Sequence, residues 1–291
     1  MRIVEPKAYL IGYQAAYWPG IHQFFSDRGL PQWSKKRESE TAPYADGQLL
    51  GEIAGRISYQ SFDLSMNTNL SRVREEQNEH LYNLVKQGHG STFAHLNYNF
   101  ILSNVTRVTT EELERHKVGT RLNPQGEEFL AEYDVDTDET NRSQESLRFV
   151  RLDDIEWQTP DSFKPTADWT DPSFIAHVRH EQEYIIQHQE KLAKLVGQRL
   201  DEEGASFHVK KMVTSDLRYS APMGTCTDLM WSVNIRAARH IVESRTAIGA
   251  ASEIRKVFGE VGDQLRDIVP DLFNDYVVND HGEWVTKSKK V

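Results

Sequence analysis

Residues 95–103, HLNYNFILS, alternate without a break. Leu96, Tyr98, Phe100 and Leu102 fall on one side, His95, Asn97 and Asn99 on the other. Successive side chains of a strand point to opposite faces, so this period predicts a strand covered on one side by an apolar layer. Helical spacing supplies the candidates for that layer. Ile254, Val257, Phe258, Val261, Leu265 and Ile268 form one apolar face over residues 250–268, ended by Pro270. Phe174, Val178, Ile185, Leu192 and Val196 form a second stripe on a long helix opened by Asp171-Pro172. Residues 71–90 read as a helix capped by Ser71 and stopped by Gly88 and Gly90. TTEELERH opens a short helix with Thr109 and Glu112 at capping-box spacing. A further helical region is expected after Asp228. Residues 1–48 mix aromatics with turn residues and read as an early strand followed by irregular cover. Together these patterns predict a mixed α/β (α+β) protein with a helix-rich second half and no internal repeat.

The chain carries 44 acidic and 34 basic residues, a net charge of -10. That balance argues against a protein that coats nucleic acid, which needs a cationic face. It leaves room for a small anion in a locally basic pocket. Cys226 is the single cysteine, so no internal disulfide and no cysteine zinc cluster can form. This suits a reducing, cytoplasmic location. No stretch approaches the length of an apolar membrane span, and the N-terminus lacks the pattern of a cleaved leader.

Against the acidic average, residues 114–149 gather Arg115, His116, Lys117, Arg121, Arg142 and Arg148 around one loop, interleaved with Ser143, Gln144 and Ser146. Convergent cations suit an anionic ligand; a solvated surface loop is the alternative. Residues 124–140 are acidic and irregular and read as a mobile insertion. They are expected to close over a bound ligand, with Phe129 or Tyr133 inward. His177, His180 and His188 lie on the long helix, but His180 opens HEQEY, which lacks the second histidine of H-E-x-x-H, so a solvated face is expected. No dinucleotide-binding or Walker glycine motif is present, and Cys226 in GTCTDL has no nucleophile context.

These segments resemble the flavin-dependent thymidylate synthases, whose motif runs R-H-R-x-x-S-x-N-x-x-S-x-R-[YF]. Arg115 and His116 match its start, with Lys117 for the second arginine. Ser146, Arg148 and Phe149 match its end, while Asn141 and Ser143 stand for its Ser and Asn. AGRISY is similar to the family's A-A-R-x-S-[FY]. HGSTFAH is similar to H-x-[ST]-P-F-E-H, with Thr92 for Pro and Ala94 for Glu. Arg218, Pro222, Asn234, Arg236, His240, Arg245 and Glu253-Ile254 keep the family's spacing. The likeness covers roughly residues 50–275.

The resemblance implies the family's fold, a mixed sheet flanked by long helices. It implies an N-terminal extension over 1–48, one catalytic domain over 49–276 with the insertion near 124–140, and a loosely held polar tail over 277–291. It implies methylation of C5 of a uracil nucleotide, with methylene-tetrahydrofolate as carbon donor, reduced FAD as hydride donor and NADPH as reductant. Ser58, Ser91, Arg115, His116, Lys117, Asn234 and His240 would lie along FAD. Glu112, Gln144, Ser146, Arg148, Arg218 and Arg245 would hold the nucleotide, with Arg245 and Ser146 at the reacting ring and His89 toward the folate. The family is a homotetramer with shared active sites. Glu112, where the family usually has Gln, and the insertion point to its UMP/dUMP methylase branch from polyoxin-type nucleoside antibiotic biosynthesis. A dUMP-only synthase and an inactive flavin- or nucleotide-binding sensor are the other readings.

Overall fold

The computed structural model describes residues 2–42, 45–114, 121–122, 128–129, 140–146, 150 and 152–288, with the side chains of 121–122, 128–129 and 140 left aside. At its centre is a four-stranded antiparallel sheet. The alternating segment forms the strand β3 (Asn97–Thr106). Leu96, Phe100 and Leu102 are 0% exposed and Tyr98 is 1% exposed, as the period of two predicts. On one side β3 pairs with β2 (Lys7–Tyr13), and on the other with β8 (Cys226–Asn234). β8 in turn pairs with β6 (Thr140–Gln144). Among the described strands the parallel pairing is the two-residue contact of β1 (Arg2–Ile3) with β7 (Glu156–Trp157). Short antiparallel pairs join β4 (Arg121–Leu122) to β5 (Glu128–Phe129) and β9 (Val277–Val278) to β10 (Trp284–Val285).

The covered face of the sheet packs on α4 (Gln77–Gln87), α8 (Ile235–Thr246) and α9 (Ser252–Ile268). Trp231 from β8 stands edge-on to Phe258 of α9, ring centroids 5.4 Å apart. Ile254, Val257, Phe258, Val261 and Leu265 are all fully buried, so the predicted face of α9 is the observed one. α3 (Asp46–Tyr59) packs beside them. Its Gly47 faces Tyr98 so closely that a Cβ would lie 1.9 Å from the Tyr98 hydroxyl.

Several elements differ from the expectation. The region after Asp228 continues as strand to Asn234 and only then turns helical, because Leu229, Trp231 and Val233 take inward positions beside β3. α4 starts at Gln77 instead of residue 71. The carbonyls of Arg74 and Glu75 are taken by the guanidinium groups of Arg56 and Arg37, which holds that segment extended. α5 (Arg107–Glu114) begins before Thr109, and the Thr106 hydroxyl accepts the Thr109 amide at 3.3 Å, so the proposed Thr109–Glu112 capping box does not form. On α6 (Pro172–Glu202) the buried face is Ile175, Ile186, Gln189, Glu190, Ala193 and Gly197. Phe174, Ile185 and Leu192 from the expected stripe are exposed.

The N-terminal segment after β2 forms two helices, α1 (Trp18–Asp27) and α2 (Pro31–Glu40), where irregular cover was expected. The tail is not loose over its described part. Trp284 is 2% exposed, packs on Gly262 of α9 and sits 4.0 Å below the Arg266 guanidinium. The expected lid falls on residues 124–140, which, apart from the backbone of 128–129 and 140, lie outside the described residues.

Candidate active site

α5 ends where the sequence places its cations. The last carbonyls of a helix have no partner inside it and carry partial negative charge, which draws cations. Arg245, in the last turn of α8, donates from Nη2 to the Glu112 carbonyl at 2.7 Å and from Nη1 to the Glu112 carboxylate at 2.7 Å. Arg142 on β6 donates to the Thr110 carbonyl at 3.4 Å and to the Glu114 carboxylate at 2.8 Å. Gln144 lies 3.4 Å from the Thr110 hydroxyl. Glu112, Gln144 and Arg245 therefore meet at one helix end.

Two bonds fix the chain that leaves β6. The Glu145 amide donates to the Asp228 carbonyl at 3.1 Å, and Arg107 Nη2 donates to the Glu145 carbonyl at 3.2 Å. They set the path of Ser146, whose own carbonyl accepts the Val150 amide at 3.1 Å. Arg107 is a positioning residue that the sequence motif does not mark. Burial lowers its pKa, yet it stays charged. Arg115, His116, Lys117 and Arg148 lie outside the described residues.

A second cluster forms at the end of α3. The Tyr59 hydroxyl lies 3.1 Å from a ring nitrogen of His89, and the two rings meet edge-on. Ser58 is exposed and donates to the Ala54 carbonyl at 3.1 Å. Ser91 is exposed on the short 3-10 turn Gly90–His95 that follows His89. Tyr59 was visible only as the last residue of AGRISY; its contact with His89 spans 30 residues. α8 bridges the two clusters, since its Ile235 amide donates to the Leu96 carbonyl beyond that turn. Asn234 caps α8, its Oδ1 accepting the Ala237 amide at 2.8 Å. His240 stands on the exposed side of the same helix. Arg218 is exposed on the turn Arg218–Ser220, apart from the bonds that join α5 to α8.

Cys226 is buried, and burial together with the carboxylates of Glu253 and Glu156 pushes its thiol up, away from the thiolate a nucleophile needs. Glu253 is half-buried and accepts from the Thr106 amide at 2.7 Å and hydroxyl at 2.6 Å, which ties α9 to the start of α5. His177, His180 and His188 are exposed on α6. Among the described residues no group of His, Cys, Asp and Glu could hold a metal ion, and no helix is long and apolar enough to cross a membrane.

Known proteins resemble this chain in sequence and in fold. The flavin-dependent thymidylate synthase of Mycobacteroides abscessus is 28% identical over 232 residues, covering 79% of this chain and 80% of that protein. That of Clostridium tetani is 26% identical over 200 residues, 68% of this chain and 70% of that protein. Among solved structures, the UMP/dUMP methylase PolB from Streptomyces cacaoi, bound with 5-Br dUMP, superposes with a TM-score of 0.57 at 14% identity. That match covers 94% of this chain and 96% of the other, and shows a shared fold. The family described as thymidylate synthase complementing protein matches residues 42–271, from the start of α3 through α9, so the chain belongs to that family.

Proposed function

We propose that the protein methylates C5 of uracil nucleotides, accepting both UMP and dUMP, as a flavin-dependent enzyme of the cytoplasm. The observation that carries the reading is the Arg245–Glu112 pair, which holds a guanidinium in fixed orientation at the end of α5 where Gln144 also bonds, in a chain of this family. Arg245 faces the uracil carbonyls, where a planar two-donor group both orients the ring and stabilises charge that develops on it. Ser146 stands with Arg245 at the reacting ring, and Gln144, with Arg148 and Arg218, binds the sugar and phosphate. His89, oriented by the Tyr59 hydroxyl, stands on the side from which the carbon donor, methylene-tetrahydrofolate, approaches.

The exposed hydroxyls of Ser58 and Ser91 retain acceptor capacity, and His240 presents an imidazole toward solvent, so these residues fit a planar cofactor with hydrogen-bonding edges. When bound there, FAD would supply the hydride, restored by NADPH. The protein contributes position and electrostatics rather than a nucleophile.

Assembly into a homotetramer completes the reading. Tyr184, Ile185 and Leu195 on α6 and Phe207 on α7 (Phe207–Leu217) are large and exposed, a surface that suits a subunit interface. Light scattering on the purified protein tests it, and a monomer at working concentration removes it.

The deciding experiment is a methylation assay with UMP and dUMP side by side, supplying reduced flavin and methylene-tetrahydrofolate. Methylation of both supports the proposal. Methylation of dUMP alone makes the protein a dedicated thymidylate synthase. Flavin binding without turnover of either makes it a sensor.

A further inference from the structure

α2 and the loop that follows α3 enclose a cleft of about 440 Å³. Trp33, Lys36 and Arg37 line it from α2, Arg56 from α3, and Arg72 and Arg74 from the loop. None of these belongs to the nucleotide or flavin set described above. Arg37 is 3% exposed, and Arg56 and Glu52 are 0% exposed. Glu52 serves both arginines, accepting from Arg37 Nε at 2.9 Å, Arg37 Nη2 at 2.8 Å and Arg56 Nε at 2.7 Å.

The other donors tie down the loop. Arg56 donates to the carbonyls of Ser61 at 2.8 Å and Arg74 at 2.6 Å, and Arg37 donates to the Glu75 carbonyl. These bonds hold residues 74–75 against the buried pair and place Arg72 and Arg74 on the cleft wall. Arg37 also pairs with Glu40 at 2.7 Å. Arg37 and Arg56 thus share two carboxylates, Glu52 and Glu40. Asp63 and Glu75 also border the cleft, Asp63 keeping its charge while it accepts the Ser65 amide at 2.8 Å and hydroxyl at 2.7 Å, and Lys36 lies 3.7 Å from Glu40 and 3.8 Å from Glu76.

The field of these arginines reaches a neighbour. His80 packs against Gly55 of α3, and burial together with Arg56, Arg74 and Arg37 pushes its imidazole down to about 3.

We propose that this cleft binds a small phosphate-bearing ligand, gripped by Arg72, Arg74 and Lys36, with Arg37 and Arg56 supplying the positive field behind them. Guanidinium forks match phosphate oxygens two at a time, and the volume lies in the range of small-molecule sites. Trp33 is stacked on Phe25 at 4.3 Å and has Arg37 5.3 Å from its ring centre, so it reports on anything entering.

The test uses the flavin-loaded enzyme with dUMP at saturation, so that the nucleotide pocket is already filled. Inorganic pyrophosphate and ADP are titrated separately while the Trp33 indole resonance, assigned with Trp33→Phe, is followed. A saturable shift is expected with either probe. The double variant Arg72→Gln/Arg74→Gln should keep its melting temperature and weaken that binding at least tenfold, with dUMP affinity unchanged. Tighter binding of ADP than of pyrophosphate assigns the ligand to the nucleotides; equal binding assigns recognition to the phosphates alone. No saturable shift with either probe, or binding that survives the double variant, overturns the proposal. Neither readout depends on methylation, so its failure is distinct from failure of the proposed activity.

Discussion

Arg245 Nη1 and Nη2 contact Glu112 twice, each at 2.7 Å, once at the carboxylate and once at the main-chain carbonyl. The second bond caps the C-terminus of α5, and the first fixes the rotation of the guanidinium about it. A lysine has one ammonium and no planar fork to satisfy both oxygens. Arg245→Ala is therefore expected to reduce methylation at least a hundredfold, about 2.7 kcal/mol or more of transition-state stabilisation. Its fold should lose only about 1 kcal/mol, the worth of a helix-end contact. Arg245→Lys should recover little turnover. Steady-state kinetics with denaturant unfolding of both variants checks this; near wild-type turnover in Arg245→Ala removes the residue from the mechanism.

Glu112 can be separated from its partner. Glu112→Gln keeps the carbonyl contact, since that oxygen belongs to the main chain, but removes the ion pair and one negative charge from the proposed nucleotide site. KM for dUMP should fall several-fold with kcat changed less, because repulsion is relieved in the bound state and in the transition state alike. An unchanged KM would show that Arg245 already neutralises the carboxylate fully.

Cys226→Ser should retain activity. The thiol is buried and raised by burial and nearby carboxylates, so it is protonated at neutral pH. Serine can place its hydroxyl near the Gly224 carbonyl that the thiol already approaches at 3.9 Å. Inactivation of a normally folded variant would point to a covalent cysteine mechanism instead.

What the sequence revealed follows the range of the interactions involved. β3 and α9 were legible because a single face decides each, and the repeat of that face is local. β8 was not, since Leu229, Trp231 and Val233 run directly into the helix capped by Asn234, so the helical signal masked the strand before it. On α6 the buried face includes Gln189 and Glu190. Glu190 accepts the Ile155 amide at 2.8 Å, and Gln189 bonds Ser220 and the Leu217 carbonyl. Polar residues there are inside because loops need partners, which no hydrophobic stripe reports. In the site, Glu112 and Arg245 could be named singly, but their contact joins positions 133 apart. Tyr59 and Arg107 act by positioning His89 and Glu145, a role without a local pattern.

Trp284 tests whether the tail belongs to the fold. It fills the space over Gly262, contacts Phe273 and Tyr276, and its amide donates to the Thr246 hydroxyl at 2.9 Å, next to Arg245. Trp284→Ala leaves a large cavity and should cost about 3–5 kcal/mol in unfolding free energy. Urea denaturation measures it. A loss below about 1 kcal/mol would mean that the tail is dispensable.

His80 gives the protein an acid-sensitive element. Its folded pKa is depressed to about 3 from an ordinary 6.5, through burial first and then Arg56, Arg74 and Arg37. Between those values the unfolded chain binds a proton that the native state refuses, so stability falls as pH drops from about 6.5 toward 3. At pH 5 the penalty relative to neutral pH is about 2 kcal/mol from this residue alone. Its Nε2 has no hydrogen-bond partner among the described residues, so a neutral replacement breaks no bond at that atom. His80→Asn removes the titration. The variant should be less stable than the parent at pH 7, since asparagine fills the site poorly, yet it should lose less stability than the parent between pH 7 and pH 5. Parallel urea melts at the two pH values give the difference directly. Equal losses in parent and variant would mean that His80 titrates normally, and that the positive field around the Arg37–Glu52–Arg56 cluster is already neutralised without a ligand.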